Sequence, residues 1–290
     1  MKKIFPTRKK GISFLSKKWI LAICLVSIAG NTPATQPPKS GKAYVVSNAH
    51  MDTQWLWTVQ TSIIDYIPRT IYQNLALIRD YPNYIFNFEG AIKYNWMKEY
   101  YPLDYEKVKE AIKNGRWHVS GSSWDANDVN VPSPESSFRN ILLGQEFYKK
   151  EFGLKSTDIF LPDCFGFGYT LPSIAKHCGL IGFSTQKLGW RKKPFYGDSK
   201  IPFTIGRWKG IDGAELICAL DCGSYVHNFK DDDLTRDNDL IQRVERDPMR
   251  TAYRYFGAGD RGGSAMPVSA MAIEKAQVSG DGPIEIVCAS

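Results

Sequence analysis

His50 and Asp52 stand two residues apart, directly after the run Tyr44-Val45-Val46. That run is apolar and β-branched and reads as a buried strand, with polar residues following where it should end. In extended backbone, side chains two apart project from one face, so this imidazole and carboxylate can grip a single cation. The duller alternative is a strand-end histidine beside an aspartate that caps a helix. Trp55 and Trp57 follow at once. An indole face is a good platform for the C–H face of a sugar, although Trp57 reads equally well as core. Further acids lie in polar or glycine-rich stretches: Asp125 and Asp128, Asp163 ahead of Gly166-Phe167-Gly168, and Asp260 inside the loop Ala258 to Gly263. Taken one by one, each of these has an ordinary role as a helix cap or turn residue.

The elements between them alternate. Ile64, Ile67, Ile71, Leu75 and Ile78 recur at spacings of three and four, which predicts one inward face of a helix, with Pro68 in its first turn. Tyr84 to Phe88 reads as a strand. A helical region follows through Lys113, stopped by Asn114-Gly115, and then the strand Trp117 to Ser120. Pro134 and Glu135 open a long helix that should carry Phe138, Ile141, Leu142, Tyr148 and Phe152 inward and end at Gly153. Ile159 to Leu161 and Ile181 to Thr185 read as strands flanking a short helix, Leu171 to Cys178. Phe203 to Trp208 and Glu215 to Leu220 read as a hairpin turning at Asp212-Gly213. Asn228 to Asp247 reads as helix and loop. The strand Tyr253 to Phe256, the helix Val268 to Gln277 and the strand Ile284 to Cys288 complete the chain.

This alternation predicts an α/β fold with a largely parallel sheet, or a distorted (β/α) barrel, its helices packed outside. Ligand sites in such folds form where the carboxyl ends of strands meet their loops. His50 and Asp52, Asp125 and Asp128, Asp163, Lys187 and Asp260 each follow a predicted strand, so one sheet edge should collect them.

The net charge of +7 first suggests a nucleic-acid or membrane partner. Residues 1–29, however, hold seven lysines and arginines and no acid, and removing them leaves no excess. No nucleic-acid role is expected. The lysine-rich start precedes the apolar run Trp19 to Ile28, too short to span a bilayer comfortably, with small residues before Gly30. Residues 1–29 therefore read as a signal peptide, with an uncleaved membrane anchor as the alternative. Residues 30–42 read as a Pro-rich linker and 43–290 as the functional domain. The protein is expected to be exported, either periplasmic or secreted. Five cysteines remain beyond the signal, an odd number too widely scattered for a disulfide framework, and Cys218 and Cys222 read as packing residues rather than a zinc pair, since no second Cys/His pair at ligand spacing accompanies them.

With His50-x-Asp52-x-x-Trp55 and Leu161-Pro162-Asp163-Cys164-Phe165-Gly166 both in view, the chain resembles glycoside hydrolase family 38, the α-mannosidases. The likeness extends through Trp124-Asp125-Ala126-Asn127-Asp128, Phe183 to Leu188, Trp208 to Gly213 and Phe256 to Gly263. It implies a zinc ion held by His50, Asp52 and Asp163, plus a second histidine from later in the chain than His118, His177 or His227. It also implies further domains of the same enzyme after Ser290, so the sequence reads as the front part of a catalytic domain incomplete at its C-terminus.

The chemistry implied by the resemblance is retaining hydrolysis of an α-mannoside, with Asp163 as nucleophile and Asp260 as acid and base. Such enzymes hold two carboxyl groups about 5–5.5 Å apart. Trp55, Asp125, Asp128 and Lys187 are the expected substrate contacts. Two alternatives stand beside this reading: a metal-dependent polysaccharide deacetylase, whose metal activates water against a carbonyl, and a non-catalytic carbohydrate-binding remnant.

Overall fold

Strand β1 (Lys42–Ala49) is the hub of the sheet, because its apolar residues are buried on both faces and both of its edges are paired. The computed structural model describes residues 39–126, 128–189, 203–221, 223–230 and 232–290. The expected signal peptide, most of the linker, Asn127 and Cys222 lie outside them. Lys39 and Ser40, within the expected linker, are already tied to the body through Gly280, Gly282 and Pro283.

After β1 come the single turn α1 (Val59–Thr61), α2 (Ile67–Asp80), β2 (Phe86–Glu89), α3 (Ala91–Tyr100), α4 (Pro102–Lys113) and β3 (Trp117–Ser120). The long α5 (Pro134–Phe152) leads to β4 (Asp158–Phe160), α6 (Leu171–His177) and β5 (Gly182–Thr185). The hairpin β6 (Ile205–Lys209) and β7 (Glu215–Leu220) follows, then α7 (Asn238–Arg246), β8 (Thr251–Ala258), α8 (Pro267–Ser279) and β9 (Glu285–Cys288). The expected alternation is therefore present. The one expected helical region before Asn114 is two helices, broken where Pro102 starts a new first turn.

One parallel sheet runs β3-β2-β1-β8. Strand β8 pairs with β1 along its whole length, while β9 and β2 share the opposite edge, β9 beside Lys42–Val45 and β2 beside Ser47 and Asn48. A second sheet runs β4-β5-β7-β6, with β6 antiparallel on β7. Two seams join the sheets. At one, Ser122 N donates to Asp158 O at 3.0 Å. At the other, Asp221 just beyond β7 accepts from Tyr255 N of β8 at 2.9 Å. Val46, Phe160 and Tyr255, from β1, β4 and β8, meet in a common interior cluster with Tyr225. Strands from both sheets thus share this interior cluster, and the architecture is a distorted α/β barrel with helices outside.

Two side chains expected inside lie outside. Ile64 is 64% exposed because residues 62–66 form a wider π-turn before α2, which shifts the phase and turns Ile63 toward the core instead. Leu142 is 58% exposed, since the inward stripe of α5 runs through Ile141, Gly144 and Tyr148. There the helix lies so close to the 122–124 backbone that any side chain at Gly144 would strike Ser122 O.

The β7–β8 seam rests on a fully buried carboxylate. Asp221 Oδ1 accepts from Gly223 N at 2.7 Å and pairs with Arg243 and Arg254 at 3.2 and 3.4 Å. Removing one member of a buried ion network strands the others without water. Asp221→Ala is expected to lower the urea unfolding free energy by about 3–5 kcal/mol. A loss under about 1 kcal/mol would show that this carboxylate does not hold the seam.

Candidate active site

Every strand-end residue singled out above lies at the carboxyl edge of the barrel, and the deepest of them is His50. It is buried immediately after β1, and its Nδ1 lies 3.1 Å from Glu89 Oε1 at the end of β2. Its Nε2 faces Asp52 Oδ1 at 3.3 Å and Asp163 Oδ2 at 3.9 Å, and makes no hydrogen bond. Burial disfavours charge on this ring, but the carboxylates of Asp52 and Glu89 outweigh it and raise its pKa to about 9. Glu89 is buried too. Burial alone would raise its pKa, yet Lys93 and His50 hold it well below the usual carboxylate range.

Asp163 follows β4 by three residues and is in direct ion contact with Lys187, which follows β5. Lys187 also lies over the rings of Phe165 and Tyr225, 4.5 and 5.8 Å from their centres. A cleft opens here, lined by His50, Asp52, Asp128, Asp163, Cys164 and Phe165 among others. Burial pushes the Cys164 thiol up, so it lines the cleft as a neutral group.

Asp260 reaches this region because β8 runs beside β1 and its loop is laced to the His50 segment. His50 N donates to Ala258 O, Asp52 N to Asp260 O and Gly262 N to His50 O, at 3.1, 2.9 and 3.1 Å. Gly257 sits at φ 137° against Asn48 O, a close approach that leaves no space for a side chain. Asp260 itself adopts the left-handed region at φ 62°, one of the few residue types that tolerate it. Its Oδ1 accepts from Tyr225 Oη at 2.8 Å. Burial first, then the carboxylates of Asp163, Asp260 and Asp52, push the Tyr225 phenol far above its ordinary range, so it stays protonated and donates. Its ring also meets His50 edge-on at 5.5 Å.

The remaining expected residues divide. Asp128 lines the cleft but also caps its own turn, accepting from Asn130 N at 2.7 Å and Val131 N at 3.2 Å. Asp125 accepts from Ala126 N at 2.9 Å and is not among the cleft residues. Burial, with Glu89 adding, pushes its carboxyl above the ordinary range. Trp55 is 62% exposed and stands edge-on to Trp57, free to meet a ligand face. Trp57 is half-buried under Arg261 and bonded to Ser62, a structural role. His118 lies on β3 with Asp158 nearby, His177 is exposed near Asp212, and His227 packs against Phe229. None of these three lines the cleft.

Glu89, Lys93 and Tyr225 were not anticipated. Glu89 carried a weak signal as an acid closing an apolar strand, whereas nothing around Tyr225 distinguished it from core. Among the described residues no group of three or more His, Cys, Asp or Glu side chains is placed so as to hold a metal ion. The donor set nevertheless suits a divalent cation. The 3.3 Å between His50 Nε2 and Asp52 Oδ1 falls within the edge of a tetrahedron, about 3.3–3.6 Å, expected when donors lie about 2.0–2.2 Å from zinc. Asp163 Oδ2 is a few tenths of an ångström further out, and His50 Nε2 is a buried polar atom with no hydrogen bond.

Fold and site together define a largely parallel α/β barrel protein with an acidic, histidine-containing centre at its strand exits. The model for the glycosyl hydrolases family 38 N-terminal domain matches residues 40–280, and the chain belongs to that family. It is 36% identical over 176 residues to alpha-mannosidase G of Dictyostelium discoideum, covering 61% of this chain and 16% of that protein. It is 32% identical over 222 residues to an alpha-mannosidase of Saccharomyces cerevisiae, covering 76% and 20%. The crystal structure of an alpha-mannosidase from Enterococcus faecalis V583 shares the fold, with a TM-score of 0.70 at 20% identity over 86% of this chain and 28% of that one. The chain thus spans a fifth or less of these two curated relatives. No helix among the described residues is long and apolar enough to cross a membrane.

The charge on metal-free His50 has a consequence for stability. A folded pKa of about 9 against 6.5 in the unfolded chain means that the protonated ring stabilises the fold fully below about pH 6.5. That contribution is lost as pH rises toward 9, and amounts to at most about 3 kcal/mol. With chelator present, the urea midpoint is expected to fall between pH 6.5 and 9, and His50→Asn should remove that part of the fall. A wild-type curve parallel to that of His50→Asn would contradict it.

Proposed function

We propose that the chain is the N-terminal part of the catalytic domain of an exported, zinc-dependent retaining α-mannosidase. Membership of family 38 and the relatives' names support glycan hydrolysis. The observation that carries the mechanism is the meeting of Asp163 with His50 and Asp52 in one cleft, while Asp260 is held close by through Tyr225.

In this reading His50, Asp52 and Asp163 hold the zinc ion, which when bound supplies Lewis-acid polarisation of sugar hydroxyl oxygens. Asp163 attacks the anomeric carbon, and the bond to the leaving oxygen breaks as Asp260 gives that oxygen a proton. The product is a mannosyl ester on Asp163. Asp260, now ionised, takes a proton from water, which attacks the same carbon and releases Asp163. Tyr225 steadies Asp260 through its hydrogen bond. Lys187 offsets the negative charge of Asp163 through their direct ion contact. Trp55 offers an apolar face to the sugar ring, and Asp128 is placed to meet hydroxyls. The deacetylase alternative leaves Asp260 without a task, because hydrolysis of an acetyl group needs no second carboxyl facing an anomeric carbon. The partners we infer are an α-mannoside glycan and the other domains of the same enzyme.

Turnover of an aryl α-mannoside by the complete enzyme, with the anomer first released followed by NMR, tests this reading. Wild type should release α-mannose first, and Asp163→Asn should lose at least about 1,000-fold in kcat. Undiminished turnover would remove Asp163 from the chemistry, and β-mannose as first product would replace double displacement with direct attack by water.

A further inference from the structure

Behind His50 lies a charge pair that the reaction itself does not use. Glu89 is the last residue of β2 and Lys93 lies in the first turn of α3, and both side chains are buried, Lys93 completely. One oxygen, Glu89 Oε1, receives both the His50 ring at 3.1 Å and the Lys93 ammonium at 3.0 Å. Gly90 makes the arrangement possible: it turns the chain at φ 88°, and the Lys93 amine packs where its side chain would stand. The Lys93 head also lies 5.7 Å from the centre of the Phe88 ring. A lysine four residues from a glutamate is ordinary on an exposed helix surface, where such pairs contribute little. Here both charges are removed from water, so the pair persists only if each group finds its partner.

We infer that Glu89, neutralised by Lys93, is the positioning residue of the centre: it accepts the Nδ1 proton of His50 and so fixes the ring with Nε2 turned toward Asp52 and Asp163. This rests on the reading of His50 as a metal ligand. A ligand histidine whose far nitrogen is held by a carboxylate keeps one tautomer and one ring orientation, and loss of such a partner typically costs 10–100-fold in metal affinity. Lys93 has a separate task. Without it, Glu89 would be a buried anion facing only an imidazole. With it, the pair is neutral and can lie beneath a cation site.

Zinc affinity of the full chain, measured by competition with a chromophoric chelator, tests the inference. Glu89→Gln/Lys93→Met removes both charges together and so leaves neither stranded. It should weaken zinc binding about 10–100-fold. In zinc-loaded protein, the downfield, slowly exchanging Nδ1 proton of His50 should move upfield and exchange faster, a change that a merely structural pair would not produce. Should the double variant not fold, the isosteric Glu89→Gln must show a weakening in the same direction. Wild-type affinity together with an unmoved His50 proton overturns the inference. His50→Ala separates the two readings. If it still binds zinc as tightly as wild type, the ligand reading fails. If it loses zinc while the Glu89 variants do not, the positioning role alone fails.

Discussion

An imidazole buried beside three carboxylates survives only where opposite charge and hydrogen bonds replace the water it has lost. His50 meets that condition on both sides: Glu89 holds one nitrogen, while the other faces Asp52 and Asp163. The negative charge gathered there is balanced by two lysines placed differently. Lys93 is sealed beneath the centre against Glu89, and Lys187 stands at its mouth against Asp163. The result is a polar core in which a buried ring nitrogen without a hydrogen bond faces two acids. The remainder of the structure can be understood as what keeps those groups in register.

Strand β1 delivers His50 and Asp52, and its two edges receive β8 on one side and β2 on the other. Glu89 and Asp260 therefore arrive beside His50 from opposite flanks by ordinary parallel pairing. Asp163 comes from the second sheet, so its distance from His50 depends on how well the two sheets close. That closure is polar at both seams, through Ser122 with Asp158 and Asp221 with Tyr255, and apolar between them, where Val46, Phe160 and Tyr255 meet Tyr225. Tyr225 belongs to both the interior cluster and the site, for its ring packs inside while its hydroxyl holds Asp260. Packing and chemistry are coupled through that one side chain.

Much of this was legible in the sequence. The β-branched run before His50, the acid-bearing turns after each strand and the alternation of periods made the parallel architecture and the collecting edge predictable, because strand ends in such folds fall on one side. The helical phase failed in two places. At Ile64 a π-turn inserts an extra residue, and at Leu142 the approach of a bare backbone at Gly144 decides which face is inward. Neither leaves a mark in hydrophobic spacing. Glu89 and Lys93 escaped notice because a pair four apart is normally read as a solvated helix face, and their burial depends on the turn at Gly90. Tyr225 escaped because its partner is 35 residues away and across a seam. The cap-like acids separated least well, with Asp128 both lining the cleft and closing its own turn.

The central claim is spatial: one cation is shared by side chains from β1 and from the loop after β4. Diffraction from zinc-treated crystals, recorded on either side of the zinc absorption edge, tests it most directly. The account predicts one strong anomalous peak within about 2.0–2.2 Å of His50 Nε2 and of carboxylate oxygens of Asp52 and Asp163. A peak bound elsewhere, or none at this position in protein shown to contain zinc, would contradict it.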